Sequence, residues 1–211
     1  MINADYQGVE DLPSGWSQAR RGLTVVERVA LTSQSVVYKA RQDPSGRLVA
    51  WKISLKADVN DVSRFKREAE MLAGLEHPHI GSFYGAGILQ GHPFMVVEWL
   101  EGETLADLVA RKGTLEPAVL LSLLSGVCKA LEYAHLHQIV HRDVKPTNIF
   151  VERRAEGLSA RVIDFGMAKP IKANPELTPA GVVLGTPAYM SPEQCAGQSI
   201  DGRSDVYALG C

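Results

Sequence analysis

The chain has 211 residues, of which 45% are hydrophobic and 22% are charged, and its formal net charge is −2. Such a composition is typical of globular proteins with an apolar core, and the near-neutral charge argues against a general binder of nucleic acid or anionic membranes. The three cysteines, Cys128, Cys195 and Cys211, have the spacing of neither a disulfide framework nor a zinc ribbon, which favours a reducing cytoplasm. We also predict no signal peptide and no membrane span in this chain, while an anchor elsewhere in a full-length protein stays open.

The first hundred residues predict a small unit of strands with one helix, preceded by a polar leader at residues 1–20. Turn chemistry at Asp43-Pro44-Ser45-Gly46 predicts a hairpin, and apolar residues at helical spacing predict a helix over 61–75. Apolar and β-branched runs predict three antiparallel strands and, further on, two more, at 23–29, 36–40, 48–54, 81–87 and 94–97.

The second half predicts a mainly helical unit. A short helix over 104–110 is capped by Thr104, and a long amphipathic helix over 115–137 begins near Pro117. We predict that the leucine-rich face of the long helix is core rather than a binding surface. Two pairs of neighbouring histidines lack a converging third ligand, so we predict structural rather than metal-binding roles for His77, His79, His135 and His137.

Two polar turns beside apolar strands carry the chemistry of this sequence. They are His141-Arg142-Asp143-Val144-Lys145-Pro146-Thr147-Asn148 and Ile163-Asp164-Phe165-Gly166. Asn148 and Asp164 offer the hard oxygen ligands that Mg²⁺ prefers. Asp143 is a carboxylate that can accept a proton, and Lys145 can neutralise phosphate charge. The two turns therefore predict a site that holds a divalent cation and orients a hydroxyl group.

The order H-R-D-x-K-P-x-N followed by D-F-G resembles the catalytic and metal-binding loops of protein kinases. The strand Ala50-Trp51-Lys52-Ile53 resembles the V-A-I-K strand of that family, and Arg67-Glu68-Ala69-Glu70 resembles its C-helix. Residues 185–194 resemble the end of the family's activation segment, most closely that of the eukaryotic-like Ser/Thr kinases of bacteria. This resemblance implies an α+β, bilobal fold. Its small lobe, residues 21–97, combines an antiparallel sheet with the C-helix. A hinge and an incomplete, mainly helical large lobe follow at 98–211.

The resemblance also implies ATP and Mg²⁺ as cofactors and assigns the site residues. Lys52, paired with Glu68 rather than Glu70, holds the phosphates, while Asp143 and Lys145 act on the hydroxyl and the transferred group. Asn148 and Asp164 bind the metal. The adenine pocket is implied for Ala30, Val37, Ala50, the gatekeeper Val97, the backbones of Glu98 and Leu100, and Phe150. Where the family has three glycines in its nucleotide loop, this chain has Ala30, Thr32 and Ser35, which predicts weak binding of ATP.

Regulation is implied by Arg142 and by two threonines. A phosphate on Thr178 can pair with Arg142 and order the loop that contains it, whereas Thr186 is ranked lower as a phosphorylation site because its place suggests contact with the substrate. The partners implied are proteins with Ser or Thr hydroxyls, and a dimer for autophosphorylation stays open.

The predicted function is ATP-dependent phosphoryl transfer to protein Ser or Thr hydroxyls. Two alternatives stay open: a pseudokinase-like nucleotide-binding or scaffolding module, and an inactive fragment of a longer kinase. The resemblance implies that Asp205, the first acidic residue of a helix beginning near Ser204, anchors the backbone around His141 and Arg142. It also implies that Glu193 pairs with an arginine of a later helix, which this chain lacks. We therefore expect an unpartnered carboxylate and a chain that by itself is poorly soluble or molten and lacks kinase activity.

Overall fold

The computed structural model describes residues 22–32, 35–55, 69–165, 169–170 and 187–211. The chain divides into two compact units, one of residues 1–74 and 82–99 and the other of residues 75–81 and 100–211. The predicted boundary between the two lobes, after residue 97, stays a prediction. The leader at residues 1–20 lies outside the described residues.

The first unit contains one antiparallel sheet of five strands, in which the fifth strand along the chain lies between the third and the fourth. All five predicted strands are confirmed, with the hairpin turn at residues 43–46 between the second and third. Of the predicted helix, residues 69–73 are helical, and residues 61–68 lie outside the described residues. The strands are β1 Leu23–Leu31, β2 Ser35–Gln42, β3 Arg47–Ser54, β4 Phe83–Leu89 and β5 His92–Glu98.

Alternation along the strands gives this sheet one apolar face. In β3, for example, Val49, Trp51 and Ile53 are buried while the residues between them are half-buried. Trp51 lies at the centre of this face, with its ring centroid 5.9 Å from that of Tyr38 and 6.0 Å from that of Phe94. A buried ring of this size contributes about 3–5 kcal/mol to the free energy of unfolding. The core of the first unit comprises Leu23, Val25, Val36, Tyr38, Ala40, Val49, Trp51, Ile53, Leu89 and Val96.

The second unit combines helices with short strand pairs, which confirms the predicted α+β class with a mainly helical second part. The first of its helices is capped as predicted, because the Thr104 hydroxyl accepts the backbone N–H of Asp107 at 3.1 Å. The helices are α1 Leu105–Lys112, α2 Pro117–Leu136, α3 Pro192–Cys195 and α4 Gly202–Gly210. The strands are β6 Glu103–Thr104, β7 Ile139–Val140, β8 Ile149–Arg154, β9 Gly157–Val162 and β10 Lys169–Pro170, paired as β6-β8-β9 and β10-β7.

Helix α2 bears on two expectations from the sequence, the absence of a membrane span and the burial of its leucine-rich face. With 20 residues and a mean hydropathy of 1.3, it is long and apolar enough to cross a membrane by length and composition. Core helices pass the same test, and α2 packs against β9. Its buried residues are Leu123, Gly126, Val127, Ala130, Leu131 and Ala134. The leucine-rich face is thus core only in part, because Leu121 and Leu136 are 67% and 76% exposed.

Two glycines allow segments within the second unit to pack closely against each other. A Cβ on Gly126 would lie 2.8 Å from the ring of His79, so α2 can pass this histidine only without a side chain there. A Cβ on Gly102 would overlap the carbonyl oxygen of Val151, and the φ angle of Gly102 is 152°. These approaches seat α2 and the start of β6 against the strands that flank the polar turns.

Candidate active site

Two hydrogen bonds bring the two polar turns together. Residues 141–148 run from the end of β7 to the start of β8, and close in a 3₁₀ turn over Pro146–Asn148. The Asn148 N–H donates to the carbonyl of Lys145 at 2.9 Å, and the Ile163 N–H donates to the carbonyl of Asn148 at 2.9 Å. Asp164 therefore directly follows Ile163, the residue whose N–H is hydrogen-bonded to Asn148.

Asp143 is held by the two residues that the sequence placed beside it. Its Oδ2 lies 2.7 Å from the Lys145 ammonium and accepts a hydrogen bond of 3.0 Å from the Asn148 side-chain amide. The carboxylate is 10% exposed, so it is oriented within the loop yet reachable at one edge. This arrangement can present an acid group to a hydroxyl and a cation to a phosphate.

Asn148 and Asp164 fit a magnesium ion that is also bound by phosphate. The Asn148 Nδ2 faces two oxygens, the carbonyl and the carboxylate of Asp143, so the amide NH₂ must lie on that side and its oxygen on the other. Asp164 is exposed and has a φ angle of 65°. Within the described ranges no cluster of three or more His, Cys, Asp or Glu could hold a metal. Two oxygen ligands supplemented by water and phosphate are the usual protein share of an Mg²⁺ site.

His141 ties the turn of residues 141–148, called here the catalytic turn after its predicted role, to the second polar turn. Its ring is fully buried, and its Nδ1 accepts the Asp143 N–H at 3.2 Å. The proton therefore lies on Nε2, which donates to the carbonyl of Ile163 at 3.1 Å. The ring also packs on Phe165, with centroids 4.5 Å apart. The local sequence does not reveal this role of His141, because Ile163, its hydrogen-bond acceptor in the second turn, lies 22 residues further along the chain.

Asp205 confirms the expected anchor of the catalytic turn. This carboxylate is 1% exposed and accepts the N–H groups of His141 at 2.9 Å and of Arg142 at 2.8 Å. The Nε2 of His135 lies 2.7 Å from the same carboxylate, a contact that the sequence did not reveal. The three hydrogen bonds join the end of α2, the catalytic turn and the start of α4.

Arg142 adopts a left-handed conformation with a φ angle of 69°. For a residue with a side chain this conformation costs roughly 1–2 kcal/mol, so other interactions must hold it. Its N–H bonds to Asp205, and its carbonyl accepts the side-chain Nε2 of Gln194 at 2.9 Å. Thr178 and Thr186, the two predicted phosphorylation sites, lie outside the described residues.

In the first unit, the predicted nucleotide residues share the face opposite the apolar core. Lys52 pairs in register with Val37, and Ala50 pairs with Val97. Each of the four is half-buried and alternates with a core residue. Ala30 pairs with Val37 near the end of β1, and the carboxylate of Glu98 accepts the Ser82 N–H at 3.1 Å. Glu68 lies outside the described residues, so its pairing with Lys52 stays a prediction.

Leu100 and Phe150 belong to the second unit. Leu100 is buried, and its side chain approaches Gly81. Phe150 is half-buried in β8, and its ring lies close to Gly102. Their place in the adenine pocket stays a prediction.

The loop between β1 and β2 is closed by its own hydroxyls where the family has glycines. The Thr32 N–H donates to the carbonyl of Ser35 at 2.9 Å, and the Ser35 N–H donates to the Thr32 Oγ1 at 3.0 Å. The Thr32 hydroxyl also donates to the Ser35 carbonyl at 3.1 Å. A phosphate that binds the Ser35 N–H must first displace the Thr32 hydroxyl.

We therefore expect glycine at positions 30, 32 and 35 together to tighten the binding of ATP and ADP. Without the Thr32 hydroxyl, the backbone N–H of residue 35 becomes accessible to a phosphate oxygen, while adenosine, which has no phosphate, gains nothing. Isothermal titration calorimetry with the three ligands measures the difference, and Ser45→Gly in the β2–β3 turn is the matched control. An unchanged affinity for ATP, or an equal gain for adenosine, would refute this explanation.

Glu193 corrects another expectation, because its carboxylate is not unpartnered. The Ser204 hydroxyl donates to it, and the backbone N–H of Glu193 itself also contributes. These hydrogen bonds, the first above all, lower the pKa of Glu193 below its usual value. The partner is a serine of α4 rather than the predicted arginine.

The four predicted structural histidines make contacts within the second unit. His77 stacks on Tyr133 with ring centroids 5.1 Å apart, and burial, followed by the neighbouring His79 and Lys129, lowers the pKa of His77. The Nδ1 of His79 bonds the carbonyl of Ala160 at 2.8 Å. The Nδ1 of His137 bonds the carbonyl of Tyr133 at 2.8 Å.

A sheet lysine on the face opposite an apolar core, and a loop in which Asp143 lies beside Lys145 and Asn148, agree with the class of protein kinases. The family model described as "Protein kinase domain" matches residues 26–211. The chain belongs to the protein kinase family, with its bilobal fold.

Similar proteins are bacterial serine/threonine kinases. Serine/threonine-protein kinase PknB of Mycobacterium leprae is 40% identical over 84% of this chain and 29% of its own length. Serine/threonine-protein kinase pkn2 of Myxococcus xanthus is 41% identical over 82% of this chain and 21% of its own length. Serine/threonine-protein kinase PknJ of Mycobacterium bovis is 36% identical over 90% of this chain and 33% of its own length. The chain thus spans about a third or less of these curated relatives.

Proposed function

We propose that the protein transfers the γ-phosphoryl group of ATP to Ser or Thr hydroxyls of other proteins. The observation that carries this proposal is the Asp143 carboxylate, oriented by Lys145 and Asn148 in one partly buried loop. The similarity to serine/threonine kinases supports the choice of hydroxyl. Three exposed free cysteines support a reducing, cytoplasmic location for this part of the protein.

In the proposed mechanism, the Asp143 carboxylate orients the substrate hydroxyl and accepts its proton. The hydroxyl oxygen forms a bond to the γ-phosphorus as the bond to ADP breaks, and Lys145 opposes the negative charge of the group in transit. Asn148 and Asp164 would hold Mg²⁺. When bound, this ion supplies charge neutralisation and fixes the phosphates.

The first unit would supply nucleotide binding. Lys52 would bind the phosphates, with Glu68 as its ion-pair partner. The small side chain of Ala50 and the neighbouring Val37 and Val97 leave an apolar surface on the half-buried face of the sheet. The adenine site would be completed by Ala30, Val37, Ala50, Val97, Glu98, Leu100 and Phe150.

Regulation forms part of the proposal. Phosphorylation of Thr178 would add roughly −1.5 to −2 charge, which Arg142 can pair with, and a second copy of the chain would serve as the phosphorylating enzyme. Thr186 would contact the substrate. One observation favours a second candidate, a pseudokinase-like binding module, namely the Thr32–Ser35 closure of the nucleotide loop.

Asp143→Asn tests the proposal against this second candidate. An amide of the same shape cannot accept the proton, so kcat should fall by about 10²–10⁴-fold, while the affinity for ATP stays unchanged. The measurement is transfer of radiolabelled phosphate to a Ser/Thr protein substrate, beside ATP titration of the same protein. Glu132→Ala, on the exposed side of α2, is the matched control. ATP binding without transfer by the unsubstituted full-length protein would favour the binding module instead.

A further inference from the structure

The side chain of Gln194 bonds at both of its ends. Its Nε2 donates to the carbonyl of Arg142 at 2.9 Å, and its Oε1 accepts the N–H of Ser191 at 3.0 Å. The second bond belongs to the capping box of α3, in which the Ser191 hydroxyl accepts the Gln194 N–H at 3.4 Å. One amide therefore joins the helix cap to the catalytic turn.

The bond to Arg142 acts on the peptide unit that leads into Asp143. The carbonyl of this unit accepts from Gln194, and its N–H, that of Asp143, donates to the Nδ1 of His141. Because a peptide unit is planar, two bonds at its opposite ends fix its orientation. That orientation sets the direction in which the side chain of Asp143 leaves the backbone.

Ser191, which binds the Oε1 end of the Gln194 side chain, is itself held by hydrogen bonds. Ser191 is fully buried, and its hydroxyl donates to the Ser204 hydroxyl at 3.0 Å. Ser204 precedes Asp205, whose carboxylate binds the N–H of Arg142. The start of α4 thus holds the left-handed Arg142 on both sides, directly through Asp205 and indirectly through Gln194.

We propose that Gln194 is a positioning residue for phosphoryl transfer, which sets the plane of the Arg142–Asp143 peptide and thereby aims the Asp143 carboxylate. This inference rests on the proposed function, because the aim of Asp143 matters only if that residue acts on the substrate. Gln194 itself touches no reacting atom in this proposal.

Two substitutions separate the two ends of the Gln194 side chain. Gln194→Glu keeps an oxygen for the Ser191 N–H but places a carboxylate against the carbonyl of Arg142, which repels it. Gln194→Lys keeps a donor for that carbonyl but gives the Ser191 N–H no acceptor. If Gln194 positions Asp143, kcat should fall only in the variant that loses the bond to the Arg142 carbonyl. If its role is purely structural, kcat should fall in proportion to the loss of thermal stability.

In the full-length protein, we expect Gln194→Glu to lower kcat by roughly tenfold to a hundredfold, the range that a small misplacement of a catalytic group produces, with KM for ATP unchanged. Gln194→Lys should retain most of kcat although its melting temperature falls. A kcat for Gln194→Glu equal to that of the unsubstituted protein, or equal losses of kcat in the two variants, would overturn the inference.

Hydrogen–deuterium exchange gives a readout that does not need activity. In Gln194→Glu the amides of residues 141–143 should exchange faster, and in Gln194→Lys they should exchange at the original rate. If the unsubstituted protein transfers no phosphate, the proposed function fails, and these exchange rates still decide whether Gln194 orients the Arg142–Asp143 peptide. Equal exchange in all three proteins would refute that role.

Discussion

Replacement of Asp205 by alanine is expected to destabilise the protein more than any other single change considered. The substitution leaves the N–H groups of His141 and Arg142 buried without an acceptor and removes the partner of His135. Each buried polar group left without a hydrogen bond costs about 1–3 kcal/mol. For the two N–H groups the sum is about 2–6 kcal/mol, a large part of a typical total stability of about 5–15 kcal/mol.

Thermal denaturation measures this effect, and the melting temperature should fall by roughly 4–24 °C, since 1 kcal/mol shifts it by about 2–4 °C in a domain of 150–250 residues. The matched control is Asp201→Ala at the N-terminal cap of the same helix, where an exposed carboxylate accepts the Arg203 N–H. Loss of such a cap costs about 0.5–2 kcal/mol. Equal falls in melting temperature for the two substitutions would show that the buried Asp205 carboxylate stabilises the protein no more than the helix cap does.

The second large effect is expected at Asp164. Its replacement by alanine removes the only charged oxygen ligand of the proposed Asn148–Asp164 pair, so the Mg²⁺-dependent rate should fall by about 10²–10³-fold or more, equivalent to several kcal/mol of charge stabilisation. Because Asp164 is exposed, the melting temperature should change little.

Turnover measured across a Mg²⁺ titration tests this expectation. Asp164→Asn is the informative companion variant, because it keeps an oxygen ligand without the charge and should recover part of the rate at high Mg²⁺. Asp143→Asn should by contrast show no such recovery. Full turnover by Asp164→Ala would end the kinase interpretation of this site.

The local features of this structure could be predicted from the sequence. The Thr104 cap, the five strands of the first unit and the turn at residues 43–46 depend on neighbouring residues, whose propensities act within one or two turns. The resemblance to kinases added one long-range contact, that of Asp205 with the catalytic turn. These predictions succeeded because a short pattern determines each of them.

The contacts that fix the site's geometry could not be predicted in the same way. His135 and Asp205 are 70 residues apart, and Gln194 and Arg142 are 52 residues apart, so only the complete fold brings them together. Nor did the sequence show that Ser204 would bind Glu193. Polar side chains with several hydrogen-bonding options find their partners through packing rather than through local pattern.

The anchoring of the catalytic turn by Asp205 has a consequence for protein synthesis. His141 and its acceptor are 64 residues apart, and a ribosome that adds about 5–20 residues per second needs roughly 3–13 s to cover that distance. Throughout this interval the nascent catalytic turn has no acceptor for the two N–H groups that Asp205 later binds. The left-handed Arg142 can therefore be stabilised only after α4 has begun to emerge, so on the ribosome the active loop matures late rather than in the order in which it is translated.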